Sequence, residues 1–176
     1  MMTNMKINKQ IFYKEDEPFF YLADTVWSAF TNIKIEDWEY YLDYRANQGF
    51  NVVQINILPQ WDRSTSEVDI IHPYQKNGQG YNIELVNEDY FSHAEKMVKI
   101  AYDKGFTAAL VLLWCSYVPD TWASKITQTI LMPKLSIEPY VEKVVSVFSK
   151  YKPIYIVSGD TDFDSENAID YYEIAL

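Results

Sequence analysis

Two stretches of the chain share one grammar. "LDYRANQGFNVVQINIL" and "KIAYDKGFTAALVLLWC" each pass from a helical stripe, through a single glycine, into an almost unbroken aliphatic run. Gly49 and Gly105 stand where a helix needs a residue that accepts a left-handed backbone. The first run is a β-branched strand, and the second, "TAALVLLWC", is near-continuously apolar, of the type buried on both faces in a parallel sheet. A helix leading through a short turn into a buried strand, twice over, constrains the chain to βαβ units with right-handed crossovers.

The same reading extends outward from these two units. "IKIEDWEYYLDYRANQGF" sets Ile35, Trp38, Tyr41, Leu42 and Arg45/Ala46 at helical spacing, and "NVVQINIL" follows as a strand. After a long polar loop, Asn87 caps a helix whose stripe is Phe91, Ala94, Met97, Val98 and Ala101. In "SIEPYVEKVVSVFSKYKP" Ser136 caps, Val141, Val144, Val145 and Phe148 form the stripe, and Pro153 ends the helix. "IYIVSGD" is the next strand, and Ser165 caps a last helix. At the other end, Ile11 to Tyr13 and Phe19 to Ala23 read as a short hairpin leading into a strand that ends at Asp24. The expectation is an α/β fold of the TIM-barrel type. It has about four βα units, a partial barrel, preceded by a short β-hairpin, with strands starting near residues 19, 51, 107 and 154. No Gly/Ser linker divides the chain, so residues 1–176 form a single domain.

Bulk properties narrow the partners. A hydrophobic content of 48% is ample for a core, and a formal net charge of −10 leaves no basic stripe for phosphates, so neither nucleic acid nor a membrane surface is expected as partner. The lone Cys115, among apolar neighbours, reads as a small buried hydrophobe. The chain as given shows no secretory h-region and no long apolar span, which reads as a soluble, cytoplasmic protein. His72 and His93 lie far apart, and His93 falls among charged residues on a helix, so neither a metal nor another cofactor is expected.

In parallel α/β folds, function gathers at the carboxyl ends of the strands. Here those ends carry Asp24 to Trp27, Asn56 to Trp61, Trp114 to Tyr117, and Gly159-Asp160. Aspartates beside tryptophans, with no phosphate loop, suit a sugar: aromatic faces stack on the ring and carboxylates accept hydroxyl protons. Each of these residues also has a plainer reading. Asp160 could hold a turn, Asp24 could cap a helix or pair with Arg45, and Trp27 and Trp114 could be core. Trp61 is a weaker candidate, while Asp162 and Asp164 read as loop and cap residues turning the chain into the last helix.

"FFYLADTVWSAF", "YYLDYRANQGFNVVQINIL" and "YIVSGDTD" resemble, in order and spacing, the apiosidase-like family of glycoside hydrolases. The resemblance runs from about Glu17 to the last residue. It departs where Ala23 and Ser158 stand in place of glycines. It implies a (β/α)8 barrel that cleaves plant cell-wall glycosides with two carboxylates. By position it implies Asp160 as the catalytic acid/base, and Asp24, Trp27, Gln54 and Trp114 as residues lining the substrate pocket. The family's second carboxylate, a Glu at the end of strand seven, has no counterpart here, because such a barrel takes about 250 residues. The resemblance thus implies the N-terminal half of a hydrolase, truncated and short of one carboxylate. Such a half has two raw sheet edges through which it would dimerise or aggregate.

Two further readings stand beside it. One is a sugar-binding remnant without turnover. The other is a haloacid-dehalogenase-like phosphatase, suggested by Gly159-Asp160 with Asp164 and by Asp24. That chemistry needs a second aspartate where this chain has Val26.

Overall fold

The computed structural model describes residues 5–59, 71–78, 80–127 and 130–176. In chain order the elements are β1 (Met5–Asn8), β2 (Ile11–Lys14), β3 (Glu17–Phe19), β4 (Ala23–Thr25), α1 (Ala29–Asn32), α2 (Ile35–Asn47) and β5 (Val52–Asn56). They continue as β6 (Tyr74–Asn77), β7 (Gly80–Val86), α3 (Glu88–Asp103), β8 (Thr107–Trp114), α4 (Trp122–Ile126), α5 (Lys134–Phe148), β9 (Ile154–Gly159) and α6 (Glu166–Ile174).

The central sheet is parallel, in the order β4-β5-β8-β9, and every strand is followed by helix before the next strand of this sheet. Four βα units therefore stand side by side, as the repeat implied. Gly49 and Gly105 adopt φ of 86° and 88°, a backbone that a side chain would strain, so both helices turn into their strands there. β8, "TAALVLLW", is buried along its whole length.

Tyrosines tie the helices to the strand ends. The hydroxyls of Tyr90 on α3 and Tyr140 on α5 donate to the carbonyls of Ile57 and Leu112. Burial pushes both phenols up, so they stay protonated and act as donors. Trp38 of α2 donates its indole N–H to the Met97 carbonyl of α3 at 3.0 Å, which locks neighbouring helices together within the core.

The first unit departs from the sequence reading. Phe19 does not open the first parallel strand; it ends β3, the last strand of a three-stranded antiparallel sheet in the order β1-β2-β3. The parallel strand begins at Ala23, and Asp24 lies in its middle. The hairpin has this third strand because Lys9, Glu15 and Asp16 take positive φ at two tight turns. The small sheet is fastened to the amino ends of the parallel strands. Lys14 Nζ donates to Thr107 Oγ1 at 2.8 Å, and Lys152 pairs with Glu15 at 2.6 Å. The Asn51 side chain holds the connecting backbone, accepting from the Leu22 N–H and donating to the Phe20 carbonyl.

Two other expectations are corrected. The "polar loop" before Asn87 contains an antiparallel pair, β6 and β7, in which Tyr74 is buried and packs on Tyr140 while Gln75, Lys76 and Asn77 face solvent. Ser136 does not cap α5. The helix begins at Lys134 after Pro133, whose extended backbone starts it, and Ser136 lies in the first turn. Asn87 and Ser165 do cap α3 and α6, accepting from the N–H groups of Asp89 and Ala168.

Candidate active site

β9 ends in Ser158-Gly159, with Asp160 directly after it, and the neighbouring strand requires the glycine. A Cβ on Gly159 would fall 2.3 Å from Trp114 Cε3, so the Trp114 ring lies directly on the glycine backbone. Trp114 is itself fixed, at 5% exposure, and Trp27 leans on it with ring centroids 5.0 Å apart and planes tilted by 49°. Trp27 reaches this place because the chain beyond β4 keeps pairing with β5. Val26 N–H donates to the Gln54 carbonyl, and Asn56 N–H donates to the Trp27 carbonyl. At 38% exposure Trp27 still presents part of its ring to solvent.

Asp160 follows at φ 54°, a left-handed conformation uncommon for a residue with a side chain. Its carboxylate is exposed and enters no ion pair among the described residues. It is close enough to influence Cys115: burial first, and then the Asp160 charge, push that thiol up to about 12. The site thus joins an exposed carboxylate to an aromatic wall, Trp27 on Trp114, at the carboxyl edge of the sheet. Asp160, Trp27 and Trp114 of the expected residues come together here.

Gln54 and Asp24 lie elsewhere. Gln54 is half-buried in the middle of β5, level with Thr25 and Ala109. By the two-residue alternation of a strand it shares a face with Asn56, one step nearer the carboxyl end. Asp24 is level with Val53, on the alternate face, and its carboxylate is turned to α2. There Oδ2 accepts from the Tyr41 hydroxyl at 2.6 Å and pairs with Arg45 Nε at 2.5 Å. Burial and the Asp24 carboxylate both raise the Tyr41 phenol, which keeps it protonated as the donor. Trp61 lies outside the described residues.

Two residues have no role assigned from the sequence, though it places Asn56 at a strand end. Asn56, only 3% exposed, is a polar residue buried at the end of β5; its signal was an asparagine breaking an apolar run. Trp122, at the start of α4, donates its indole N–H to the Asp160 carbonyl at 2.8 Å. No pattern in the sequence marked it. The loop behind Asp160 is likewise tied across, since Asp120 Oδ2 accepts from Asn167 Nδ2 at 2.9 Å. Among the described residues no three His, Cys, Asp or Glu side chains converge as a metal site would require, and no helix is long and apolar enough to cross a membrane.

A family model described as "Apiosidase-like, catalytic domain" matches residues 6–175. No curated protein matches the chain. Among solved structures, one titled "Glycoside hydrolase" aligns with a TM-score of 0.73 at 20% identity, covering 99% of this chain and 37% of that one. A glycoside hydrolase family 5 protein from Bacteroides vulgatus ATCC 8482 aligns with the same TM-score and identity, covering 97% of this chain and 35% of that one. The endo-1,4-beta-mannanase from Rhizomucor miehei is more distant, with a TM-score of 0.58, 11% identity, and coverage of 97% and 57%. The chain therefore has the fold of part of a glycoside-hydrolase barrel, and it spans little more than a third of the first two of these structures.

Proposed function

The chain belongs to the apiosidase-like catalytic-domain family, and from that premise we propose that it is a carbohydrate-active domain acting on O-glycosidic bonds of plant cell-wall glycans. The observation that carries this reading is the exposed Asp160 carboxylate at the end of β9, beside the Trp27–Trp114 pair. In the proposed mechanism Asp160 protonates the leaving glycosidic oxygen, while the exposed ring of Trp27 stacks on a sugar face. Gln54, which shares a face of β5 with Asn56 below the strand end, is assigned a lesser role, accepting from or donating to sugar hydroxyls only if the ligand reaches that far along the strand. Asp24 contributes indirectly, by fixing α2 against β4.

Glycoside hydrolysis needs a second carboxylate across the scissile bond, to attack the anomeric carbon or to activate water. Asp24 is occupied by Tyr41 and Arg45. We infer that the second carboxylate comes from polypeptide beyond these four βα units, and that this chain alone turns over little or no substrate. The commitment of Asp24 also favours a second reading, a sugar-binding remnant without hydrolysis.

Calorimetry and product analysis with plant cell-wall oligosaccharides and aryl glycosides test the proposal. Binding that is lost in Trp27→Ala supports a carbohydrate site. Hydrolysis abolished by Asp160→Asn makes it an enzyme, and binding with no hydrolysis after long incubation makes it a remnant. Failure to bind any of these sugars overturns both readings.

A further inference from the structure

Asp160 presents two problems that its own strand does not solve. Its backbone occupies the left-handed region at φ 54°, which is unfavourable for a residue with a Cβ. Its side chain has no partner on β9 to aim it. The solution lies on the loop after β8. That loop is rigid: the Thr121 hydroxyl, wholly buried, shares its one proton between the carbonyls of Cys115 at 2.6 Å and Val118 at 2.9 Å, and its oxygen accepts from the Ser124 N–H at 3.3 Å. The next residue is Trp122, held at the first turn of α4. Its indole Nε1–H reaches across 38 positions of sequence to the Asp160 carbonyl at 2.8 Å. Just before it, Asp120, also at positive φ, 65°, accepts from the side chain of Asn167 on α6. The turn from Asp160 to α6 is therefore gripped at both ends by two residues of one loop, Asp120 and Trp122, on either side of Thr121.

We propose that Trp122 is a positioning residue for Asp160, and that the Asp120-Thr121-Trp122 turn is the device that holds this carboxylate toward the Trp27–Trp114 wall. The inference rests on the reading of Asp160 as the proton donor, but its structural half stands without it. A carbonyl that accepts a neutral indole N–H is fixed without adding charge near the carboxylate, and an acid misplaced by about 1 Å can lose a factor of ~10². Trp122 never touches the reacting atoms in this scheme. It acts through the peptide it holds.

The test has two arms. In the first, read by NMR on the 176-residue chain, Trp122→Phe keeps an aromatic ring but removes the N–H. Trp122→His restores a ring N–H at the equivalent ring position. The expected result is that the Asp160 HN–Hα coupling and 13Cα shift leave their left-handed values in Trp122→Phe and return in Trp122→His. Unchanged values in Trp122→Phe overturn the proposal. In the second arm, on aryl glycosides with a hydrolytically active barrel that contains these four βα units, Trp122→Phe lowers kcat by about 10-fold to 100-fold with KM little changed. Added to Asp160→Asn it costs nothing further. Additive losses would make Trp122 merely structural and overturn the proposal. If no glycoside is hydrolysed by the wild type, the glycosidase reading fails while the first arm still decides whether Trp122 sets Asp160.

Discussion

The two outer strands of the parallel sheet each carry an aspartate, and the two are held in opposite ways. On β4 the side chain of Asp24 is the part that is fixed: Tyr41 and Arg45 of α2 both grasp Oδ2. On β9 it is the backbone of Asp160 that is fixed, by Trp122 at its carbonyl and by Trp114 pressed on the preceding glycine, while the carboxylate stays exposed. A carboxylate whose Oδ2 accepts from a phenol and a guanidinium on one helix has that oxygen committed to architecture and its orientation fixed toward the helix. One whose main chain is anchored and whose side chain is open keeps its chemistry available. The difference separates a residue that joins strand to helix from one able to meet substrate.

The sharpest way to break this contrast is to neutralise each acid in turn. Asp160→Asn is expected to cut glycoside hydrolysis by a completed barrel by a factor of about 10² to 10⁴, the usual worth of a general acid. Its melting temperature should stay within about 2 °C of the parent, because an exposed side chain without an ion partner is being changed. Substrates with acidic leaving groups should be spared, since they need little protonation. An equal loss for all leaving groups would mean that Asp160 does something other than donate a proton.

Gly159→Ala tests whether the backbone at Asp160 is as tightly held as its surroundings imply. The new methyl would sit 2.3 Å from Trp114 Cε3, and the 5% exposed indole has little room to retreat. Overpacking of this kind costs about 1–3 kcal/mol. Chemical denaturation would read it as a lower midpoint with an unchanged slope. Wild-type stability would show instead that the Trp114 ring is free to move, and that the wall beside Asp160 is soft.

Asp24→Asn reverses the expectation for Asp160→Asn. Loss of the charge beneath Tyr41 and Arg45 should lower the melting temperature by several degrees, on the order of 5 °C, through the loosened α2 contact. A ligand-binding role predicts weaker sugar affinity with normal stability, which calorimetry and thermal melts on the same sample would distinguish.

The fold was legible where local chemistry and periodicity agree. Helical stripes ending at Gly49 and Gly105, followed by apolar runs, leave a parallel βα sheet as the natural solution, and the caps at Asn87 and Ser165 fall where their side chains can reach the free N–H groups. Legibility failed where a short strand buries a single side chain. β6 and β7 keep Tyr74 inside while Gln75, Lys76 and Asn77 are solvated, so composition alone looked like loop. The site was half legible. A strand end marks Asp160, but whether a three-residue strand such as β4 aims Asp24 at a pocket or at a helix depends on register with β5, which pairing sets and sequence does not state. Trp122 was invisible for a related reason: its bond is to a backbone carbonyl 38 positions away, and a carbonyl has no residue type to recognise.

The smallest expected effect is also a discriminating one. Tyr41→Phe removes a single hydroxyl from the Asp24 cluster and leaves the ring stacked on Trp38, with centroids 5.5 Å apart and planes 13° from parallel. Packing is conserved, and Arg45 still pairs with Asp24. What disappears is one charge-assisted hydrogen bond at a half-buried position, worth about 1 kcal/mol. At this chain length that is a fall of roughly 2–4 °C in melting temperature. Combined with Asp24→Asn the loss should be less than additive, because both changes remove the same bond. Sugar affinity should not move, since the lost bond joins Asp24 to α2 and involves none of Asp160, Trp27 and Trp114. If Tyr41→Phe instead weakens binding as Trp27→Ala does, Asp24 and Asp160 serve one site after all, and the division of labour between the two outer strands is wrong.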